Sequence, residues 1–174
     1  MKQLTVILWN IRSTYNVGAI LRTCDGLNVE RVIFAGYTPF LDKGLPYERE
    51  KLRKQIHKTA LGAEEMLDWS RSEDISATIS NLKAQDYKIL ALEQGEKSLN
   101  LADDNEYPEK IALILGEEVH GITQDLLDQC DFLLEIPMCG QKESFNVSVA
   151  TGIALWELNK SSLRDTRKYL RTQK

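Results

Sequence analysis

The sequence predicts an α/β domain on a mainly parallel sheet, and two observations carry that prediction. First, five short apolar runs alternate with stretches of helical periodicity: Leu4–Trp9, Arg31–Gly36, Lys88–Leu92, Ile111–Gly116 and Phe132–Ile136. Second, 174 residues with a hydrophobic fraction of 43% suit one compact core, and no repeat, low-complexity tract or Pro/Ser-rich linker divides residues 1–174.

Taken in order, Leu4–Trp9 opens the sheet. Val17, Ile20, Leu21, Cys24 and Leu27 then follow i, i+3, i+4, i+7, i+10, one apolar face of a helix. Arg31–Gly36 is the second strand. Tyr37-Thr38-Pro39 opens a loop holding Gly44 and Pro46, and a charged helix is expected from about Tyr47. Ile75, Ile79 and Leu82 form a second helical stripe, with Ser72 a plausible N-cap. Lys88–Leu92 is a strand, and the polar, acidic residues 98–110 are expected to be a surface connection. Ile111–Gly116 and Phe132–Ile136 complete the strands, and Val147, Ala150, Ala154 and Leu158 stripe the final helix. General rules favour a plain doubly wound sheet, with ligands outside the carboxyl ends of the strands. The turns after Trp9, Gly36, Leu92, Gly116 and Ile136 are therefore where chemistry is expected.

Composition excludes several classes. No apolar run approaches the roughly 20 residues of a membrane span. The amino-terminal run is too short, and lacks the cleavage site, for a signal peptide. Cys24, Cys130 and Cys139 are odd in number and form no CxxC pair, which argues against a disulfide framework or zinc site and fits a reducing cytoplasm. Net charge is −4, so nucleic acid is not held by bulk charge. Basic residues nevertheless cluster: 160–174 carry six Lys/Arg and one Asp, and 43–58 carry six Lys/Arg, two Glu and His57. Each cluster reads as a solvated helix face or a local footprint for a polyanion.

Three constellations sit near the expected turns. Asn16-Val17-Gly18-Ala19-Ile20-Leu21-Arg22-Thr23 opens the first helix. Asn16 suits a cap, Gly18 admits a close neighbour, and Arg22 projects a cation further along. In Leu113-Ile114-Leu115-Gly116-Glu117-Glu118-Val119-His120-Gly121-Ile122, a strand ends in glycine and two carboxylates, so the loop can fold tightly and present backbone groups. Ile136-Pro137-Met138-Cys139-Gly140 then leads to Ser144-Phe145-Asn146-Val147-Ser148-Val149-Ala150, where Ser144 and Asn146 both suit a helix start. Each constellation also has a purely structural reading as caps and turns. Signatures for nicotinamide dehydrogenases, P-loop NTPases, zincins and lipases are missing from the sequence.

These three runs, in this order, resemble the motifs of the SpoU (TrmH-like) class of SPOUT RNA methyltransferases. The first resembles N-x-G-A-I-x-R-T, the second G-x-E-x-x-G, and the third I-P-M…S-L-N-V-S-V-A. The resemblance extends from about Thr5 to Leu158. It implies a parallel-sheet SPOUT fold with a C-terminal trefoil knot, S-adenosylmethionine as cofactor, an RNA substrate and a homodimer. It further implies that Leu92, Gly116, Ile136, Met138, Asn146, Val147 and Ala150 line the cofactor pocket, and that Arg22, Asn16, Glu118, Ser144 and Asn146 form the reactive centre. The implied reaction is methyl transfer to a ribose 2'-oxygen, with no metal. Guanidinium stays protonated in proteins, so Arg22 suits phosphate gripping and alkoxide stabilisation better than proton removal. Glu117 stands where the family often has Asn, and Phe145 where it often has Leu. Only about 15 residues precede the first motif, which makes tRNA the expected substrate ahead of rRNA. Two rivals are a non-catalytic SPOUT-fold RNA- or cofactor-binding module and a flavodoxin-like nucleotide enzyme. The first is opposed by the presence of Arg22 and Asn146. The second would need a phosphate cradle after the first strand, where Asn10-Ile11-Arg12-Ser13-Thr14 is a poor candidate.

Overall fold

A computed structural model describes residues 2–41, 45–117 and 120–172, with side chains through Lys160. The chain runs β1 (Gln3–Trp9), α1 (Thr14–Gly26), β2 (Arg31–Ala35), α2 (Pro46–Ala60), α3 (Ala63–Met66), β3 (Asp68–Ser72), α4 (Ile75–Ala84), β4 (Lys88–Leu92), β5 (Leu99–Asn100), β6 (Lys110–Leu115), α5 (Gln124–Leu127), β7 (Phe132–Glu135) and α6 (Val147–Thr172). The strands form one seven-stranded sheet in the order β3-β2-β1-β6-β4-β7-β5. Every pairing is parallel. The α/β class and parallel sheet expected from the sequence are thus present.

The sheet is buried on both faces because its central strands are apolar at consecutive positions. Leu4, Val6 and Leu8 of β1, with Ile111, Leu113 and Leu115 of β6, join Val17, Ile20, Leu21 and Cys24 of α1 and Ala154, Leu155 and Leu158 of α6 in one core. Ile7, Ile33, Ile89, Ala112 and Ile114 point the other way and meet Ile79 and Leu82 of α4 and Leu126 of α5. Register locks the layers, with Val6 opposite both Val32 and Leu113, and Leu113 opposite Leu90. Burying each Leu or Ile is worth about 1.5–3 kcal/mol. Hence β6, buried from Ile111 to Leu115, anchors the sheet.

Strand order departs from plain doubly wound winding. β6 follows β1 and β4 in sequence yet lies between them, and β7 lies between β4 and β5. Parallel pairing puts the loops that follow the strands at one edge of the sheet, and inserting the late strands in this way sets those after β6, β4 and β7 side by side there.

Local expectations are corrected at four places. Ser13 caps α1, its hydroxyl accepting from Asn16 N, so Asn16 lies inside the first turn rather than at the cap. Asp74 caps α4 by accepting from Ala77 N, while Ser72 ends β3 and its hydroxyl meets that of Thr78 at 2.7 Å. β3 was not expected from its polar sequence. It adds to the β2 edge because Arg31 pairs with Asp68 at 2.9 Å and Trp69 packs edge-on against Phe34 and Phe40. Finally, the stretch 98–110 contributes β5, and Leu101 is buried.

Candidate active site

A cavity of about 530 Å³ opens at the carboxyl ends of β4, β6 and β7, the kind of place where parallel sheets bind ligands. Leu92, Gly116, Ile136, Met138, Val147 and Ala150 all line it, together with Ser144. Of the residues expected to hold a cofactor, only Asn146 falls outside the lining. The second and third sequence constellations, on the loops after β6 and β7, therefore face each other across one space.

Gly116 is required by the fold of its loop. A Cβ there would stand 2.6 Å from Ile122 Cγ1 and 2.8 Å from the Gly121 carbonyl carbon, so the chain could not turn back on itself.

Asn146 joins the first constellation to the third. Its side-chain oxygen accepts from Ser148 N at 3.0 Å and from Ser148 Oγ at 2.7 Å, which caps α6. Its Nδ2 donates to Asn16 Oδ1 at 3.2 Å. The capping and site readings of Asn146 both hold, one for each end of the amide. Arg22 is exposed on α1 and is not part of the cavity lining. Glu118 lies outside the described residues, as do the side chains of 161–174 and the first two residues of the 43–58 stretch.

Sequence reasoning missed Glu93 and Gln94, which follow β4. Glu93 Oε2 accepts from Ile122 N at 3.2 Å, and its other oxygen accepts from Gln94 N at 3.0 Å. Gln94 Nε2 donates to the Glu143 carbonyl at 2.6 Å. This pair pins the loop after β6 and the loop after β7 to the end of β4. Their position just past a strand's carboxyl end was the available signal.

The cavity wall is acidic. Glu93, Glu117, Glu135 and Glu143 line it, and no Lys or Arg does among the described residues. Glu117, the departure noted in the second motif, is neither turned fully into the cavity nor left to repel RNA. Its side chain is 8% exposed, 3.3 Å from Arg12 Nη2 and 3.2 Å from His120 Nδ1. The Tyr37 hydroxyl, then His120 and Arg12, hold its carboxyl below the usual carboxylate range. An acidic, partly apolar cavity suits a cationic ligand with an aromatic ring and disfavours a polyphosphate. The flavodoxin-like reading loses its support there.

The model of the SpoU rRNA Methylase family matches residues 3–156. The 23S rRNA (guanosine-2'-O-)-methyltransferase RlmB of Coxiella burnetii is 32% identical over 162 residues, 90% of this chain and 58% of its own length. That of Salmonella typhi is 33% identical over 153 residues, 87% of this chain and 58% of its own. The chain thus spans less than two thirds of these curated relatives. Among solved structures, the A. aeolicus TrmH/SpoU tRNA modifying enzyme superposes with a TM-score of 0.79 at 24% identity, covering 95% of this chain and 78% of its own. An AdoMet-bound rRNA methyltransferase from Sinorhizobium meliloti gives 0.79 at 22%, covering 92% and 57%. At these identities the superpositions establish the shared fold.

Proposed function

The chain belongs to the SpoU rRNA methylase family, and from that premise we propose that it is an S-adenosylmethionine-dependent RNA ribose 2'-O-methyltransferase that works as a homodimer. One observation carries the reading. The residues of the second and third motifs line one acidic cavity, and the Asn146–Asn16 hydrogen bond ties the first motif to it.

The cavity fits the cofactor. Leu92, Ile136, Met138, Val147 and Ala150 offer apolar surface to an adenine ring, and the Gly116 turn offers backbone groups. The carboxylates suit the positive charges of the sulfonium and amino groups. When bound, S-adenosylmethionine supplies an electrophilic methyl group. The protein's part is to position a ribose 2'-hydroxyl and to stabilise the charge that develops on its oxygen. In this reading Ser144 at the cavity wall and the Asn16–Asn146 pair orient that ribose, supported by their position beside the cavity.

Arg22 supplies the cation, and the homodimer supplies its place. It is not among the residues that line its own chain's cavity, and it sits on the helix that packs against α6. Beyond that contact α6 exposes Val149, Ile153 and Trp156, with Trp156 58% accessible. Pairing two chains through this apolar face would cover it and offer Arg22 of one protomer to the cavity of the other. The C-terminal trefoil knot belongs to the same proposal, supported by the insertion of β6 and β7 between earlier strands. Relatives named for 23S rRNA and a fold neighbour named for tRNA make both RNA pools fair substrates for the test.

The test is transfer of labelled methyl from S-adenosylmethionine to bulk tRNA and to bulk rRNA, assayed separately. The parent protein is expected to label one pool. Arg22→Ala should lower the rate by about 10²-fold or more with little change in cofactor affinity. Cofactor binding with no transfer to either pool would favour the non-catalytic module.

A further inference from the structure

Beside the cavity, the turns that follow β1 and β2 are lashed together. Asn10 adopts a left-handed φ of 60°, which asparagine tolerates better than most side chains, and its Oδ1 accepts from Tyr37 N at 3.1 Å. The buried Thr38 hydroxyl donates to the Leu8 carbonyl at 2.8 Å and accepts from Ile11 N at 3.0 Å. What this mount presents to solvent is a pair of side chains, Arg12 and Tyr37. The guanidinium carbon lies 5.2 Å from the ring centroid and Nε donates to the phenol oxygen at 3.3 Å. Arg12's side chain is 63% exposed and Tyr37 49%. Glu117, part of the cavity wall, meets the same guanidinium at 3.3 Å.

The Arg12 guanidinium is largely open to solvent, so its contact with Glu117 is screened, and an internally bonded mount that holds this pair out to solvent calls for another use. A planar guanidinium matches a phosphate, and an exposed ring matches a nucleobase face. Single-stranded RNA is recognised by these two contacts together. The partner on the cavity side, Glu117, places the pair at the cavity mouth.

We propose that Arg12 and Tyr37 form a nucleotide subsite for the substrate RNA next to the methylated residue. Arg12 takes a backbone phosphate, Tyr37 stacks a base, and Glu117 holds Arg12 until the phosphate displaces it. This subsite rests on the RNA methyltransferase reading.

The experiment measures binding of bulk tRNA and bulk rRNA over a salt series, with the melting temperature of each variant as the check on folding and S-adenosylmethionine titrated on the parent. Tyr37→Ala should weaken RNA binding about tenfold, and Tyr37→Phe, which keeps the ring, should stay within about threefold. Arg12→Ala should weaken RNA binding and reduce the salt dependence by about one ion. Glu117→Gln breaks the same ion pair but keeps the cation, so it should leave RNA binding equal or tighter. If Arg12 merely braces the loop, Arg12→Ala and Glu117→Gln will weaken RNA binding alike, and the subsite is overturned. Arg12→Ala and Tyr37→Ala proteins that bind RNA as the parent does overturn the subsite alone. A parent protein that binds cofactor but neither RNA overturns the methyltransferase reading with it.

Discussion

Asn146 shows how one amide can serve fold and site together. Its oxygen caps α6, and its nitrogen reaches Asn16 on α1. Asp caps a helix about as well as Asn but has no N–H to donate. Asn146→Asp should therefore leave the melting temperature within a few degrees while methyl transfer falls by about tenfold or more, a split that parallel melting and rate measurements would reveal. The sequence places a cap or a ligand residue at this position but cannot say that both hold, because the partner is 130 residues away. The cysteines separate just as sharply. Burial pushes the Cys24 thiol up, and pushes Cys130 to about 11, whereas Cys139 is exposed beside the cavity residue Met138. At pH 8 about one Cys130 in a thousand is thiolate. Iodoacetamide should thus modify Cys139 first, and peptide mass spectrometry should show that saturating S-adenosylmethionine slows it.

At the scale of elements, the contact between α1 and α2 depends on Gly18. A Cβ at that position would collide with the Ile56 carbonyl and the Thr59 hydroxyl of α2. Gly18→Ala should cost about 1–3 kcal/mol in urea denaturation, whereas Gly26→Ala, with nothing within 4 Å, should be neutral or better. The sequence indicates a slim first turn but not that a helix, rather than a ligand, fills the space. The corner from α2 to α3 is held by Glu64, which accepts from His57 Nδ1 at 2.6 Å and Gly62 N at 3.0 Å. Burial pushes this carboxyl up, but the His57 contact and backbone N–H groups outweigh it and leave it below the usual range. A depressed folded-state value gives stability that is present above the ordinary pKa of about 4.3 and lost as pH falls through the folded value. The melting temperature of the parent should consequently drop more steeply below pH 4 than that of Glu64→Gln. Neither β3 nor this corner was legible, since Asp68-Trp69-Ser70-Arg71-Ser72 lacks apolar periodicity and becomes a strand only because β2 offers it an edge.

For the whole molecule, the five central strands and the α1, α4 and α6 stripes were legible because burial on both faces writes itself into periodicity. Strand order was not, because no local pattern records that β6 enters between β1 and β4. Nor does periodicity encode a knot, which general topology rules disfavour. The cavity residues were placed by likeness to a family. What the likeness could not supply is the Glu93–Gln94 brace and the Arg12–Glu117 contact. Arg22 is not among the residues that line its own chain's cavity, which makes the proposed dimer part of the catalytic claim. The claim is tested most directly by nucleoside mass spectrometry of tRNA and rRNA, isolated separately from cells with and without this protein. The expected result is the loss of one 2'-O-methylnucleoside from one pool, restored by the parent gene and not by Arg22→Ala. Unchanged ribose methylation in both pools, or the loss of a base-methylated nucleoside instead, would contradict it.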